Sequence, residues 1–214
     1  MEPGRKPILQ RDDSLWFAAG RLCLDFVNSS CMRLGKPLEL LDDREALDLW
    51  LAAAGRIHGE DFPRVAGHWH AQDERSLARA HELRTALWKL FEGVLLGQAP
   101  DAAAMDAVNA VLMASPTYSW LDATNGQFFQ SIEAVQPDDP WLDEVARDAV
   151  DFLCFGDLKL LRQCECETCV RVFYDTTKNH KRRWCVERCG SRVKAAKYYR
   201  RKRESARTAA DAAS

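Results

Sequence analysis

The stretch CECETCVRVFYDTTKNHKRRWCVERCGSRVK, residues 164–194, decides how the C-terminal part of the chain folds. Its thiols form two close groups fifteen residues apart, Cys164, Cys166 and Cys169 in the first and Cys185 and Cys189 in the second. In a reducing compartment, clustered cysteines are more often thiolate metal ligands than disulfides. Zn2+ takes four such ligands tetrahedrally in structural sites, each pair supplied by a turn that brings two sulfurs onto one ion. The segment is therefore expected to bind zinc and to unfold without it. Residues 1–13, MEPGRKPILQRDD, are polar and lack the apolar core of a secretion signal, and no apolar run approaches the roughly 18 residues that span a bilayer. The expected setting is cytoplasmic, with no membrane partner.

Three thiols in the first group compete for two coordination positions. Either Cys164 or Cys166 is spare, and on geometry alone the Cys166-x-x-Cys169 spacing fits the common knuckle better. Cys23, Cys31 and Cys154 lie beside apolar residues and are expected to be buried core thiols. His180 is expected to be a loop or phosphate-contacting residue rather than a fifth metal ligand.

Charge separates this segment from the rest. Residues 164–203 carry thirteen Lys/Arg against four acids, a balance of +9, whereas the remainder of the chain stands at −11. A whole-chain charge of −2 thus hides a basic module on an acidic body. Four zinc-bound thiolates lower the module by two net units and leave it cationic. The module is therefore read as a polyanion binder. Lys181, Arg182 and Arg183 form a basic turn before Trp184, and Arg192, Lys194, Lys197, Arg200, Arg201 and Lys202 lie on the helix that follows. Val193, Ala196 and Tyr199 recur at three-residue spacing and are expected to face the zinc knuckle, leaving most of these cations free to meet phosphates.

The segment resembles the zinc finger of the bacterial CGNR proteins, described as stress-induced transcription regulators, whose N-terminal part is the ABATE domain. The likeness runs through Phe173-Tyr174-Asp175-Thr176-Thr177, Arg183-Trp184-Cys185 and Cys189-Gly190-Ser191-Arg192-Val193-Lys194, with Ser191 standing where the family has Asn. It extends to Gly20-Arg21-Leu22-Cys23-Leu24-Asp25-Phe26-Val27-Asn28 and Trp50-Leu51-Ala52-Ala53-Ala54-Gly55. The resemblance implies Cys164, Cys169, Cys185 and Cys189 as the zinc ligands, with Arg192 and Lys194 opening a DNA-binding helix.

The body reads independently as helical. Leu22, Phe26, Val27 and Ser30 share one face of a helix over residues 21–31. Asp42-Asp43-Arg44-Glu45 resembles a capping box for a helix burying Leu47, Trp50, Leu51 and Ala54 and ending at Gly55. Leu77, Ala80, Leu83, Leu87, Leu90, Phe91 and Val94 mark a longer helix, and Pro100-Asp101 opens another. Asn125-Gly126, between two stretches rich in aromatic residues, signals a tight hairpin. Trp141, Leu142, Val145, Ala149, Phe152 and Leu153 mark a last helix before Gly156.

The fold expected is mainly α (α+β): a helical domain over residues 15–160 containing one β-hairpin, then a zinc-knuckle or treble-clef-like module over 161–203. Residues 1–14 and 204–214 are expected to be disordered tails.

His68-Trp69-His70 with Asp73 and Glu74 is read as an exposed connection, because histidines at i and i+2 do not share a helix face. Asp25 and Asn28 are polar within an apolar helix, and Arg21, four residues before Asp25, offers it an ordinary ion pair. No phosphate-binding loop, dinucleotide glycine pattern, nucleophile elbow or His-Glu-x-x-His occurs, so no enzyme is expected. Duplex DNA is the expected partner. The body has two candidate roles, holding a small-molecule effector and forming a homodimer. The alternatives are an RNA-binding or ribosome-associated module, with Trp184, Tyr198 and Tyr199 stacking on unpaired bases, and a ligand-binding or enzymatic body carrying a purely structural finger.

Overall fold

The computed structural model describes residues 17–33, 35–58, 75–134 and 139–211. The sequence-predicted connection His68 to Glu74 and the N-terminal tail lie outside these residues.

The body is assembled around α1 (Leu22–Val27), a short helix whose six side chains are all buried. Phe26 meets Trp50 at 5.5 Å and Trp141 at 6.1 Å between ring centroids, so three helices converge on one aromatic contact. Trp50 lies on α2 (Arg44–His58), which Asp43 caps by accepting from the Ala46 amide at 2.8 Å. Gly55 does not stop α2, which continues one turn further. α3 (Ser76–Leu96) buries Ala80, Leu83, Leu87, Leu90 and Phe91. It ends at Gly97, whose φ of 64° allows Gln98 N–H to donate to Gly93 and Gly97 N–H to Val94, satisfying two terminal carbonyls. α4 (Ala102–Met113) is capped by Asp101 on the Ala104 amide at 2.8 Å. α5 (Pro140–Phe155) starts with proline at its first position and buries Trp141, Leu142, Val145, Ala149 and Phe152.

Two antiparallel ribbons interrupt these helices. β1 (Ser30–Arg33) and β2 (Lys36–Glu39) pair where the sequence reading continues α1 to residue 31. Long-range bonds end the helix: the Asn28 side chain is taken up elsewhere, and Arg84 of α3 donates to Ser29 Oγ at 2.8 Å and to both Glu39 carboxylate oxygens. β3 (Thr117–Thr124) and β4 (Gln127–Ala134) form the expected hairpin, with Asn125 and Gly126 at φ 53° and 77°. After a single 3-10 turn at Leu158–Leu160, β5 (Leu161–Gln163) and β6 (Val172–Tyr174) form a third ribbon, and α6 (Glu187–Asp211) ends the described chain. The architecture is thus mainly α with small two-stranded sheets, and no described helix is long and apolar enough to cross a membrane.

Candidate metal centre and basic helix

The metal centre is built at the meeting of β5, β6 and the start of α6. Cys164 leaves β5, and the turn back toward β6 is closed by Cys164 N–H to the Arg171 carbonyl at 2.9 Å and Cys169 N–H to the Cys166 carbonyl at 2.7 Å. Cys185 precedes α6 and Cys189 lies in its first turn, where unpaired amides and the helix dipole favour negative sulfur. The Sγ atoms of Cys164, Cys169, Cys185 and Cys189 all lie within 4.8 Å of one another and all four residues are buried. Tetrahedral zinc with thiolates at about 2.3 Å requires sulfurs about 3.8 Å apart. The separations of 3.7 Å for Cys169–Cys185 and 3.8 Å for Cys185–Cys189 fit that geometry and are far too long for disulfides.

The protonation pattern of the four thiols also suits a cation. Hydrogen bonds from Cys169 and Cys185 hold Cys164 below the ordinary thiol range, at about 2. Its neighbours shift the other way: Cys169 and Cys185 go up through their bonds to Cys164, and Cys189 is pushed up to about 12 by burial and then by repulsion from Cys169 and Cys164. Four thiolates this close require a positive ion between them. Zinc supplies it, and the set is all-sulfur and closed, as a structural rather than catalytic centre demands.

Cys166 lies outside the cluster. Its Sγ sits 3.4 Å from Thr168 Oγ1, which is also 3.5 Å from Arg192 Nη1, so the third thiol helps form the surface beneath Arg192. Of the other three cysteines, Cys23 and Cys31 are buried as expected, but Cys154 is exposed on α5. His180 is also outside the cluster. Its Nδ1 contacts the Asp175 carbonyl at 3.0 Å in the turn that Asp175 organises. Asp175 accepts from Thr177 and from the Arg182 amide at 2.8 Å. Although burial opposes its charge, these bonds hold it below the usual carboxylate range.

The basic residues differ in their surroundings. Arg182 is corrected from phosphate contact to internal strut: its guanidinium lies 4.5 Å over the Phe173 ring and donates to the carbonyls of Ala18, Trp184 and Cys185. Arg183 pairs with Glu165 at 2.5 Å and stacks near Trp184, while Lys181 is exposed. Arg192 is half-buried over the knuckle in the second turn of α6, because the helix begins at Glu187 rather than beside Gly190. Lys194, Lys197, Arg200, Arg201 and Lys202 are all exposed. The expected apolar stripe is only partly realised: Val193 packs on the core, but Ala196 is exposed and Tyr199 is 63% exposed. Every residue from Lys194 to Ser205 is exposed, so α6 extends beyond the finger as a cationic rod.

The N-terminal motif, polar within an apolar helix, positions the finger. Asn28 Nδ2 donates to the Val172 carbonyl at 2.8 Å and its Oδ1 accepts from the Val172 amide at 3.0 Å. Tyr174 N–H donates to the Ala19 carbonyl at 2.8 Å, and the rings of Phe152 and Tyr174 meet edge to face at 5.1 Å. Asp25 accepts from the Ala19 amide at 2.9 Å and from His58 at 3.0 Å, fixing the loop that carries these contacts. Arg21 pairs with Asp148 and Asp151 of α5 instead of Asp25. Sequence reasoning missed this docking role, for which an asparagine inside an otherwise apolar helix was the available signal.

Comparison with family models gives two consecutive matches. Residues 20–156 match ABATE, described as "Putative stress-induced transcription regulator", and residues 161–202 match the CGNR zinc finger. No curated protein matches the chain.

Proposed function

The chain belongs to the ABATE family and carries a CGNR zinc finger, and on that premise we propose that it is a zinc-dependent DNA-binding regulator of transcription rather than an enzyme. In this reading Cys164, Cys169, Cys185 and Cys189 ligate zinc and lock the knuckle to the first turn of α6. The ion closes the site without an open position, so it supplies folding energy and no reaction chemistry. The observation that carries the proposal is the exposure of α6 from Lys194 to Ser205, a stretch holding six Lys/Arg and one acid. Like charges four residues apart, such as Lys197 and Arg201, each cost the helix about 0.2–0.5 kcal/mol. A phosphate backbone relieves that repulsion and releases counterions as it binds. Lys197, Arg200, Arg201 and Lys202 are the phosphate contacts. Arg192 and Lys194, nearest the metal-fixed end, enter the major groove.

Selection of bound fragments from random duplex DNA with the zinc-loaded protein tests the reading. Recovery of a shared motif supports it, and absence of duplex binding at low salt removes it. One observation favours RNA as the second reading: Tyr198 and Tyr199 are 62% and 63% exposed side by side on the same helix, a platform for unpaired bases. Competition between duplex DNA and structured RNA separates the two.

A further inference from the structure

A cavity of about 390 Å3 opens among α3, α4 and α5 and contains no residue of the finger. That volume stands at the lower end of small-molecule sites, which are mostly apolar with a few placed polar groups. The apolar wall comes from Leu83 and Leu142 and from Ala107, Ala110 and Ala114 of α4. The three alanines follow one another at helical spacing along one face of α4, where longer side chains would occupy the space.

Four ionisable residues complete the lining. Arg79 and Asp139 pair with each other, and Asp139 also accepts from Ser76 at 2.7 Å and from the Trp141 indole at 3.2 Å, so both are occupied. Asp143 is different. It is 4% exposed, and Arg147 takes its Oδ2 at 2.7 Å while also donating to the Ser115 carbonyl at 2.9 Å. Its Oδ1 is the one buried carboxylate oxygen without a hydrogen-bond partner among the described residues. Glu82, exposed on α3, places a second carboxylate at the edge of the same cavity. A buried carboxylate oxygen without a donor is electrostatically unfavourable, and a cation relieves it.

We propose that this cavity binds a small organic cation, a primary amine carried on a compact hydrocarbon body, whose ammonium donates to Asp143 Oδ1 and is attracted by Glu82. The terminal torsion of aspartate is soft, so a slight turn of the carboxyl group brings Oδ1 to an ammonium in the cavity. The hydrocarbon body covers the alanine face of α4. A neutral apolar ligand would fill the same wall but leave Oδ1 unpaired. An anion would be repelled by both carboxylates, and the arginine of the wall is held by Asp139.

Proton–nitrogen correlation spectra of the zinc-loaded full chain, titrated with three matched probes, test the proposal: cyclohexylmethylamine, cyclohexylmethanol and cyclohexanecarboxylate. The amine is expected to shift amides around residues 79–83, 107–114 and 139–143 saturably. It is expected to bind about tenfold or more tighter than either matched compound, the contribution of one charge-assisted hydrogen bond. Asp143→Asn keeps a carbonyl oxygen for Arg147 and sets an N–H donor against the ammonium, so the amine is expected to lose its advantage. Ala110→Leu, at an exposed position of α4, is expected to fill the cavity and abolish binding, and provides a second variant should Asp143→Asn not fold. Ala103→Leu, exposed on α4 outside the cavity, is expected to bind as the wild type does. The proposal is overturned by the absence of a saturable shift with the amine, or by equal affinity for the alcohol or the carboxylate. An amine preference that survives Asp143→Asn, or undiminished binding by Ala110→Leu, overturns it as well.

Discussion

Asn28 completes β6 as a neighbouring strand would, its side-chain amide bonding both the carbonyl and the amide of Val172 at 2.8 and 3.0 Å. The residue that caps the C-terminus of α1 thereby joins the helical body to the metal-bearing ribbon. Removing the side chain leaves two buried backbone groups unpaired, each costing about 1–3 kcal/mol. Asn28→Ala is therefore expected to destabilise the protein by about 2–4 kcal/mol in chemical denaturation while leaving zinc stoichiometry unchanged. Asn28→Asp retains the acceptor and loses the donor, so its loss is expected to be similar. If Asn28→Ala unfolds like the wild type, the two parts are held together by other contacts.

The ligand set gives a second expectation. Cys164→Ser is expected to abolish stoichiometric zinc, whereas Cys166→Ser keeps it, because only Cys164 lies in the four-sulfur cluster. Elemental analysis of both variants checks this, and the reverse pattern would exchange the two cysteines.

Zinc loading is expected to depend steeply on pH, with a definite sign. Without the ion the finger is unfolded, and its four ligand cysteines lie in the ordinary thiol range, above neutral pH. Binding converts all four to thiolates, so at neutral pH about four protons leave per zinc. Affinity therefore rises as pH rises, by up to about four log units per pH unit, and is lost on acidification. Calorimetry in buffers of different ionisation enthalpy counts the protons. Release of about three would show that the site is already formed in the metal-free protein, with Cys164 held below the ordinary thiol range by its neighbours.

Several of these features are legible in the sequence because their causes are local. The cysteine spacing, the caps at Asp43 and Asp101 and the Asn125-Gly126 turn depend on residues a few positions apart, so a pattern reading reaches them. Asn28 depends on Val172, 144 residues away, and the β1–β2 ribbon depends on Arg84 gripping Ser29 and Glu39 from α3. Arg182 was misplaced for a related reason. A charge count registers its guanidinium, but the carbonyls that occupy it come from Ala18, Trp184 and Cys185.

Gly190 is set by contact rather than by backbone angle. A Cβ at this position would lie 2.8 Å from Cε3 and 3.1 Å from Cδ2 of the Trp184 indole, closer than side chains pack. Alanine normally gains about 1 kcal/mol over glycine inside a helix. Overpacking costs about 1–3 kcal/mol and acts on a ring wedged between Gly190 and Arg183, so the loss is expected to win. Gly190→Ala should lower the temperature at which the finger melts, and adding Trp184→Phe, with its smaller ring, should recover part of it. A Gly190→Ala finger as stable as the wild type would show that the indole moves aside freely.

The exposed part of α6 allows phosphate binding to be distinguished from base reading. Replacing Lys197, Arg201 and Lys202 with Gln is expected to weaken binding to preferred and random duplexes alike. The salt dependence becomes shallower by about 0.9 log units per log unit of salt for each phosphate contact removed. The same variant relieves like-charge repulsion along α6, so the free protein should gain helical signal even as affinity falls. Arg192 is placed differently, half-buried above the knuckle and within 3.5 Å of Thr168, where its position is fixed by the metal-bound turn. Arg192→Ala is expected to cost about 1–3 kcal/mol on the preferred site and to relax the choice at one base position, as for an arginine paired with guanine. Fluorescence anisotropy with selected and scrambled duplexes, at several salt concentrations, measures both effects together. Equal loss on the two duplexes would make Arg192 another phosphate contact, and an unchanged salt slope in the triple variant would remove Lys197, Arg201 and Lys202 from the DNA interface.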